Sequence, residues 1–133
     1  MENEINIILI EDREDDIFIL GLYFEKEGWK LSASLKTIQD IDNRLEEELA
    51  AVDHARCVIL LDGSLPEAAG LTSETEINTS RAITIARRLD FNGPIIAISG
   101  SDDNNDTLVS LGANYKAGKY AKEVVAAIKS HFG

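Results

Sequence analysis

Three carboxylates, a hydroxyl and an ammonium in this sequence could together handle a phosphoryl group. They follow apolar runs and comprise Glu11, Asp12, Asp62, Ser99 and Lys119. Clustered carboxylates repel one another, and a cation with a preference for hard oxygen ligands, such as Mg²⁺, relieves that repulsion. An ammonium and a hydroxyl suit the remaining phosphoryl oxygens. The set predicts Mg²⁺-assisted phosphoryl transfer onto a carboxylate, with Asp62 as the nucleophile and Lys119 and Ser99 holding the other oxygens.

Apolar runs predict the strands that would position these side chains. Runs without polar alternation are typical of strands buried on both faces. Glu11, Asp62 and Ser99 each follow such a run directly, and Lys119 comes shortly after the last and weakest one. The apolar runs predict strands at residues 5–10, 57–61 and 95–98. Residues 29–34 are a weaker strand candidate, and residues 113–117 are placed as a strand largely by their position in the alternation.

Apolar residues at a spacing of three to four predict a helix after each strand. Short polar side chains before these stretches are candidate N-caps. The predicted caps are Asp15 or Asp16 for the first helix, Thr37 for the second and Asp102 or Asp103 for the fourth. The third helix is expected from about Ser80 to Leu89, and the fifth from Lys119 or Tyr120 to Phe132.

The strict alternation of strands and helices predicts an α/β fold, a doubly wound five-stranded parallel sheet with five helices. Parallel neighbours need long crossovers, which the helices supply. We expect residues 1–133 to form a single domain. Because parallel strands end at a common edge, the candidate side chains should converge there.

The charge and composition of the chain argue against several classes of function. The net charge is −11, with 24 acidic and 13 basic residues, which argues against nucleic acid and anionic membranes as partners. The sequence has one cysteine, Cys57, no apolar stretch of membrane-spanning length and an acidic start unlike a signal peptide. We therefore expect a cytoplasmic protein.

Four motifs, in order and each after an apolar run, resemble the receiver domain of two-component response regulators. They are "ILIEDREDD", "VILLDGSLPEAAG", "IIAISGS" and "GANYKAGKY". The resemblance covers essentially the whole chain. It implies a flavodoxin-like strand order 2-1-3-4-5.

The resemblance also implies a role for each matching residue. Asp62 would accept a phosphoryl group from a histidine kinase or phosphotransfer protein. Glu11, Asp12 and the backbone carbonyl of Ser64 would bind Mg²⁺ together with Asp62. Ser99 would move toward the phosphoryl group, and Lys119 would pair with it.

The sequence departs from the family pattern around Lys119. Tyr120 stands where the family usually has a proline, so we expect a trans peptide or a reshaped loop, since a non-proline cis bond costs about 3–4 kcal/mol. Lys116 occupies the position of the usual aromatic switch residue, and Tyr115 is the nearest aromatic. The acidic stretch 71–79 is longer than the family norm and is either a recognition insertion or a tolerated surface loop.

We expect a stand-alone receiver that acts as a switch, not as a turnover enzyme, although its phosphorylated form would hydrolyse slowly. The resemblance implies that it would signal to a downstream protein target through residues 103–111 and 115–125, and we expect a monomer or weak dimer. The alternative is a phosphorylation-independent protein-binding module, which the changes at Lys116 and Tyr120 favour. A metal-dependent phosphohydrolase would need a second aspartate where Ser64 stands.

Overall fold

The buried apolar runs form the strands of a computed structural model that describes residues 4–72 and 76–132. The strands are β1 (Asn6–Ile10), β2 (Lys30–Leu35), β3 (Cys57–Leu61), β4 (Ile95–Ala97) and β5 (Tyr115–Lys116). The helices are α1 (Glu14–Lys26), α2 (Ile38–Ala50), α3 (Ser80–Arg88), α4 (Asp102–Ser110) and α5 (Ala121–Phe132). None of the helices in the described ranges combines the length and apolar character that a membrane crossing requires.

The five strands form one parallel sheet in the order β2-β1-β3-β4-β5, which confirms the predicted topology. β1 and β3 lie in the interior and pair over their full length, from Asn6 opposite Cys57 to Ile10 opposite Leu61. Their carboxyl ends are therefore level with each other. The residues that follow, Glu11 and Asp62, start from adjacent positions.

Apolar side chains cover both faces of the sheet. On one face, Ile8 and Ile10 pack with Ile59, Leu61 and the buried stripes of α2 and α3. On the other face, the alternate residues of β1 and β3 pack with α1 and α5, through Leu20, Phe24, Val124 and Ile128. Successive side chains of a strand point to opposite faces of the sheet, so each strand packs against both helical layers. This packing holds the ends of the strands in place.

Cys57, the first residue of β3, is fully buried. Burial, with a smaller contribution from the charge of Asp53, raises the pKa of its thiol to about 12. The thiol thus stays protonated at neutral pH and behaves as a small core side chain.

Two of the predicted helix caps are wrong. Helix α1 begins at Glu14 with Arg13 as N-cap, so Asp15 and Asp16 lie in its first turn. Acidic residues are favourable there because they face the positive end of the helix dipole. Helix α4 is capped by Ser101, whose side chain accepts from the Asn104 N–H, and not by Asp102 or Asp103. The Thr37 cap of α2 is confirmed, with a 3.0 Å bond from the Asp40 N–H.

Candidate metal and phosphoryl site

Glu11, Asp12 and Asp62 meet at the carboxyl edge of the sheet. The backbone N–H of Glu11 donates to Leu35 at 3.1 Å and that of Asp62 donates to Ile10 at 2.9 Å, so both residues continue the ladder just past the strands. One carboxylate oxygen from each of the three acids lies within 4.8 Å of the others. The predicted convergence of the acidic residues is present in the structure.

Lys119 reaches this acidic group from the loop after β5. Its ammonium lies 2.5 Å from the Glu11 carboxylate, 3.3 Å from that of Asp62 and 3.8 Å from that of Asp16. Gly118 precedes it with φ +81°, a left-handed conformation that glycine adopts without strain. The peptide bond between Lys119 and Tyr120 is trans, one of the two expected outcomes.

Burial and charge shift the pKa values of the two central groups. Burial, followed by the charge of Asp62, raises the pKa of Glu11 to about 7, although Lys119 opposes the shift. Burial acts to lower the pKa of Lys119, but the charges of Asp62 and Glu11 outweigh it and the net pKa is raised. The ammonium is therefore held in its charged form beside carboxylates that repel each other.

The donor set fits a hard divalent cation. Three carboxylates supply oxygen ligands of the type that Mg²⁺ takes, and Lys119 compensates only part of their charge. Glu11, Asp12 and Asp62 could thus hold a metal ion. Ser64, two residues after Asp62, is partly buried in the following turn, and the role of its carbonyl stays a prediction.

Ser99 follows β4 and is 6% exposed. It lines a cleft of about 550 Å³ together with Asp16, Lys116 and Lys119. Its hydroxyl accepts a hydrogen bond from the Ser101 N–H at 3.1 Å. The structure therefore places Ser99 beside Lys119 at the carboxyl edge, in the region where the sequence predicts it.

Three polar residues that support the site were not anticipated from the sequence. Asp16 contacts Lys119, as given above. The Thr79 hydroxyl donates to the Asp62 carbonyl at 2.6 Å and lies 3.2 Å from the Gly63 carbonyl, which fixes the turn after β3. The side-chain amide of Asn105 is bonded to the backbone of Ser99. No motif flags such contacts, because they join residues that only the folded chain brings together.

Lys116 points toward α4 and not into an aromatic contact. Its ammonium lies 3.0 Å from the Asp102 carboxylate and 2.7 Å from that of Asp106, and these acids raise its pKa. Tyr115 instead packs against His131 of α5, with the ring centroids 5.7 Å apart. Lys116 thus makes two ion pairs with α4 from the sequence position where the receiver pattern has an aromatic residue.

Asn78, near the end of the acidic stretch 71–79, hydrogen-bonds to the turn that follows Asp62. Residues 73–75 of this stretch lie outside the described residues. The Asn78 N–H donates to the Gly63 carbonyl at 3.1 Å. Its side chain accepts from the Leu65 N–H at 2.9 Å and donates to the Leu65 carbonyl at 2.7 Å. The long stretch is therefore fastened at its end to the turn that carries Asp62.

Comparison with solved structures identifies the fold. A chain of the CheX–CheY–BeF3–Mg²⁺ complex from Borrelia burgdorferi superposes with a TM-score of 0.74 at 16% identity, over 97% of this chain and 90% of that one. The receiver domain of the Francisella response regulator 1452 gives 0.70 at 15% identity, over 96% and 95%. A CheY-like receiver domain protein from Methanospirillum hungatei gives 0.66 at 17% identity, over 96% and 93%.

The chain has the fold of response-regulator receiver domains. No protein-family model matches the sequence, and no curated protein matches it either. The receiver fold is thus retained at sequence identities too low to transfer a role to any residue.

Proposed function

We propose that this chain is a phosphoacceptor receiver of two-component signalling, in which Asp62 takes a phosphoryl group from a histidine kinase or phosphotransfer protein. The observation that carries the proposal is the contact of the Lys119 ammonium with both Glu11 and Asp62 at the carboxyl edge of a receiver fold. A nucleophilic carboxylate, further acidic ligands and a cation for the phosphoryl oxygens are then within reach of one another.

In the proposed reaction an Asp62 oxygen attacks the phosphorus atom of a phosphohistidine. The new O–P bond forms as the P–N bond breaks, and the leaving imidazole keeps the electron pair and takes up a proton. Mg²⁺, held by Glu11, Asp12, Asp62 and the Ser64 carbonyl, would neutralise charge on the transferred group. Lys119 would leave Glu11 and pair with a phosphoryl oxygen, and the Ser99 hydroxyl would donate to another.

The output of the proposed receiver is a change in protein–protein contact and not a turnover reaction. Residues 103–111 and 115–125 form the proposed contact surface of a single domain spanning 1–133. This surface exposes apolar side chains, with Leu111 at 50% and Tyr120 at 75% exposure. A protein partner is supported by the solved structure in which CheY, a structural neighbour of this chain, occurs in a complex with CheX, BeF3 and Mg²⁺.

Incubation with acetyl phosphate and Mg²⁺, followed by intact-mass analysis, tests the proposal. We expect the wild type to gain one phosphoryl group and Asp62→Asn to gain none, because an amide is not a competent nucleophile. Asp42→Asn is the matched control, since Asp42 is an exposed carboxylate paired with Arg81 on α2 and α3. It should be phosphorylated like the wild type. A wild type that gains no mass with or without Mg²⁺ contradicts the proposal.

The second candidate is a phosphorylation-independent protein-binding module with a receiver fold. The ion pairs of Lys116 with Asp102 and Asp106 favour it, because they occupy the place of the usual aromatic switch. The acetyl phosphate measurement separates the two candidates. A phosphorylation-independent module would gain no phosphoryl group at Asp62, whereas a phosphoacceptor receiver would gain one.

A further inference from the structure

Ser99 is hydrogen-bonded to helix α4 and its N-cap both as a donor and as an acceptor. The Asn105 side chain accepts from the Ser99 N–H at 2.8 Å, and its amide group donates to the Ser99 carbonyl at 2.9 Å. The Ser99 hydroxyl accepts from the N–H of Ser101, the N-cap of α4. The backbone of Ser99 can move only if it breaks the bonds to Asn105 or takes the helix with it.

Asn105 is a polar residue on the core side of its helix. It is 2% exposed, and Leu108, one turn later on the same side, is fully buried. A buried amide costs free energy unless its donors and acceptors are paired. The side-chain oxygen and the NH₂ group of Asn105 both bond to Ser99, a residue of the candidate site. The side chain is therefore specific for the backbone of Ser99.

Lys116 provides a weaker attachment of the same helix. Its ion pairs with Asp102 and Asp106 are exposed to solvent, where water and salt screen them. The Asn105 bonds lie in the interior, where hydrogen bonds are electrostatically stronger. The Asn105 bonds are therefore a stronger attachment of α4 to this edge of the sheet than the Lys116 ion pairs.

We propose that Asn105 is a positioning residue that couples the phosphorylation state of Asp62 to the position of helix α4 through Ser99. The inference rests on the proposed function. To reach a phosphoryl oxygen, the Ser99 side chain would have to move from its present position against the Ser101 N–H. The paired amide of Asn105 would transfer the accompanying shift of the Ser99 backbone to α4. This coupling needs no aromatic side chain between β5 and α4, where Lys116 stands.

Beryllofluoride with Mg²⁺, a mimic of a phosphoryl group on a carboxylate, tests the coupling in the full chain. Fluorine NMR reports whether the mimic is bound, and amide hydrogen exchange reports the state of residues 102–110. In the wild type we expect a bound signal and a change in α4 exchange of about threefold or more. Asn105→Leu keeps the approximate shape of the side chain and removes its hydrogen-bonding oxygen and NH₂ group. In this variant the fluorine signal of the bound mimic should remain, and the change in α4 hydrogen exchange should disappear.

Two further variants complete the test. Thr107→Ala is the matched control, because the Thr107 hydroxyl bonds to the Asp103 carbonyl within α4. It should respond like the wild type. Asn105→Asp keeps the acceptor for the Ser99 N–H and loses the donor, so we expect an intermediate α4 change, and it serves in place of Asn105→Leu if that variant does not fold. A wild-type α4 response in both Asn105 variants overturns the inference alone. A wild type with no bound signal overturns the proposed function itself.

Discussion

Among the individual residues, Glu11 combines complete burial with a raised pKa. Its side chain is fully buried, and burial with the charge of Asp62 raises its pKa to about 7. The unfolded chain loses this proton near 4.5, the ordinary value. Between these two pH values the folded state binds more protons than the unfolded state, so the stability of the metal-free protein falls as the pH rises through this window.

We predict that the Mg²⁺ affinity of the wild type falls about tenfold between pH 8 and pH 6. With a pKa of about 7, Glu11 is mostly ionised at the higher pH and mostly protonated at the lower one, and a metal ligand must be deprotonated. Isothermal titration calorimetry at both pH values measures the change. Glu11→Gln should bind Mg²⁺ weakly and with little dependence on pH. Equal wild-type affinities at pH 6 and pH 8 would contradict the assignment of Glu11 as a ligand.

For the helices and strands, the sequence predicts order and type well and boundaries less well. The apolar runs of β1, β3 and β4 stand out because both faces of an interior strand are buried. The start of α4 was misassigned because Ser101, Asp102 and Asp103 are adjacent and all can cap a helix. In the fold Ser101 caps the helix, and Asp102 lies in the first turn and pairs with Lys116. Local residue preferences alone do not decide which of three adjacent polar residues becomes the N-cap.

The support of the site shows the same limit of sequence reasoning. Glu11, Asp12 and Asp62 were predictable because each follows a strand and the ends of parallel strands meet. The contacts of Thr79 with Asp62 and of Asn105 with Ser99 have no counterpart in spacing or residue pattern. They depend on where α3 and α4 are placed over the sheet, which the sequence does not give at atomic precision.

Helix α2 provides a test at the level of an element. Thr37 is 7% exposed and its hydroxyl accepts the Asp40 N–H at 3.0 Å. We predict that Thr37→Ala lowers the free energy of unfolding by about 1 kcal/mol, because the first turn loses its cap. Urea unfolding followed by the fluorescence of Trp29, the one tryptophan of the chain, measures the loss. Thr37→Ser keeps a hydroxyl acceptor and should lose much less. A loss as large in the serine variant would mean that the cap does not stabilise α2.

For the whole molecule, the two apolar layers decide stability, and the site depends on both. The sheet is covered by α2 and α3 on one face and by α1 and α5 on the other. Lys119 lies two residues before α5, and Asp16 lies in α1. Loosening the second layer therefore disturbs Lys119 and its partner Asp16 together.

Two phenylalanines of α1 provide a matched comparison of this layer. Phe24 is 1% exposed and Phe18 is 67% exposed. We predict that Phe24→Ala lowers the free energy of unfolding by about 3–5 kcal/mol, because it leaves a cavity between α1 and the sheet. Phe18→Ala should change it by less than about 0.5 kcal/mol. Chemical unfolding monitored by circular dichroism measures both. A small effect at Phe24 would show that α1 does not close this face of the core.

The burial of Cys57 gives the molecule a practical property. With the only native thiol protonated and enclosed at the start of β3, maleimide reagents should leave the folded wild type unmodified. A cysteine introduced on the exposed side of α4, such as Thr107→Cys, would then be the one labelled position. A single spin label or fluorophore could report the movement of that helix in an otherwise native sequence.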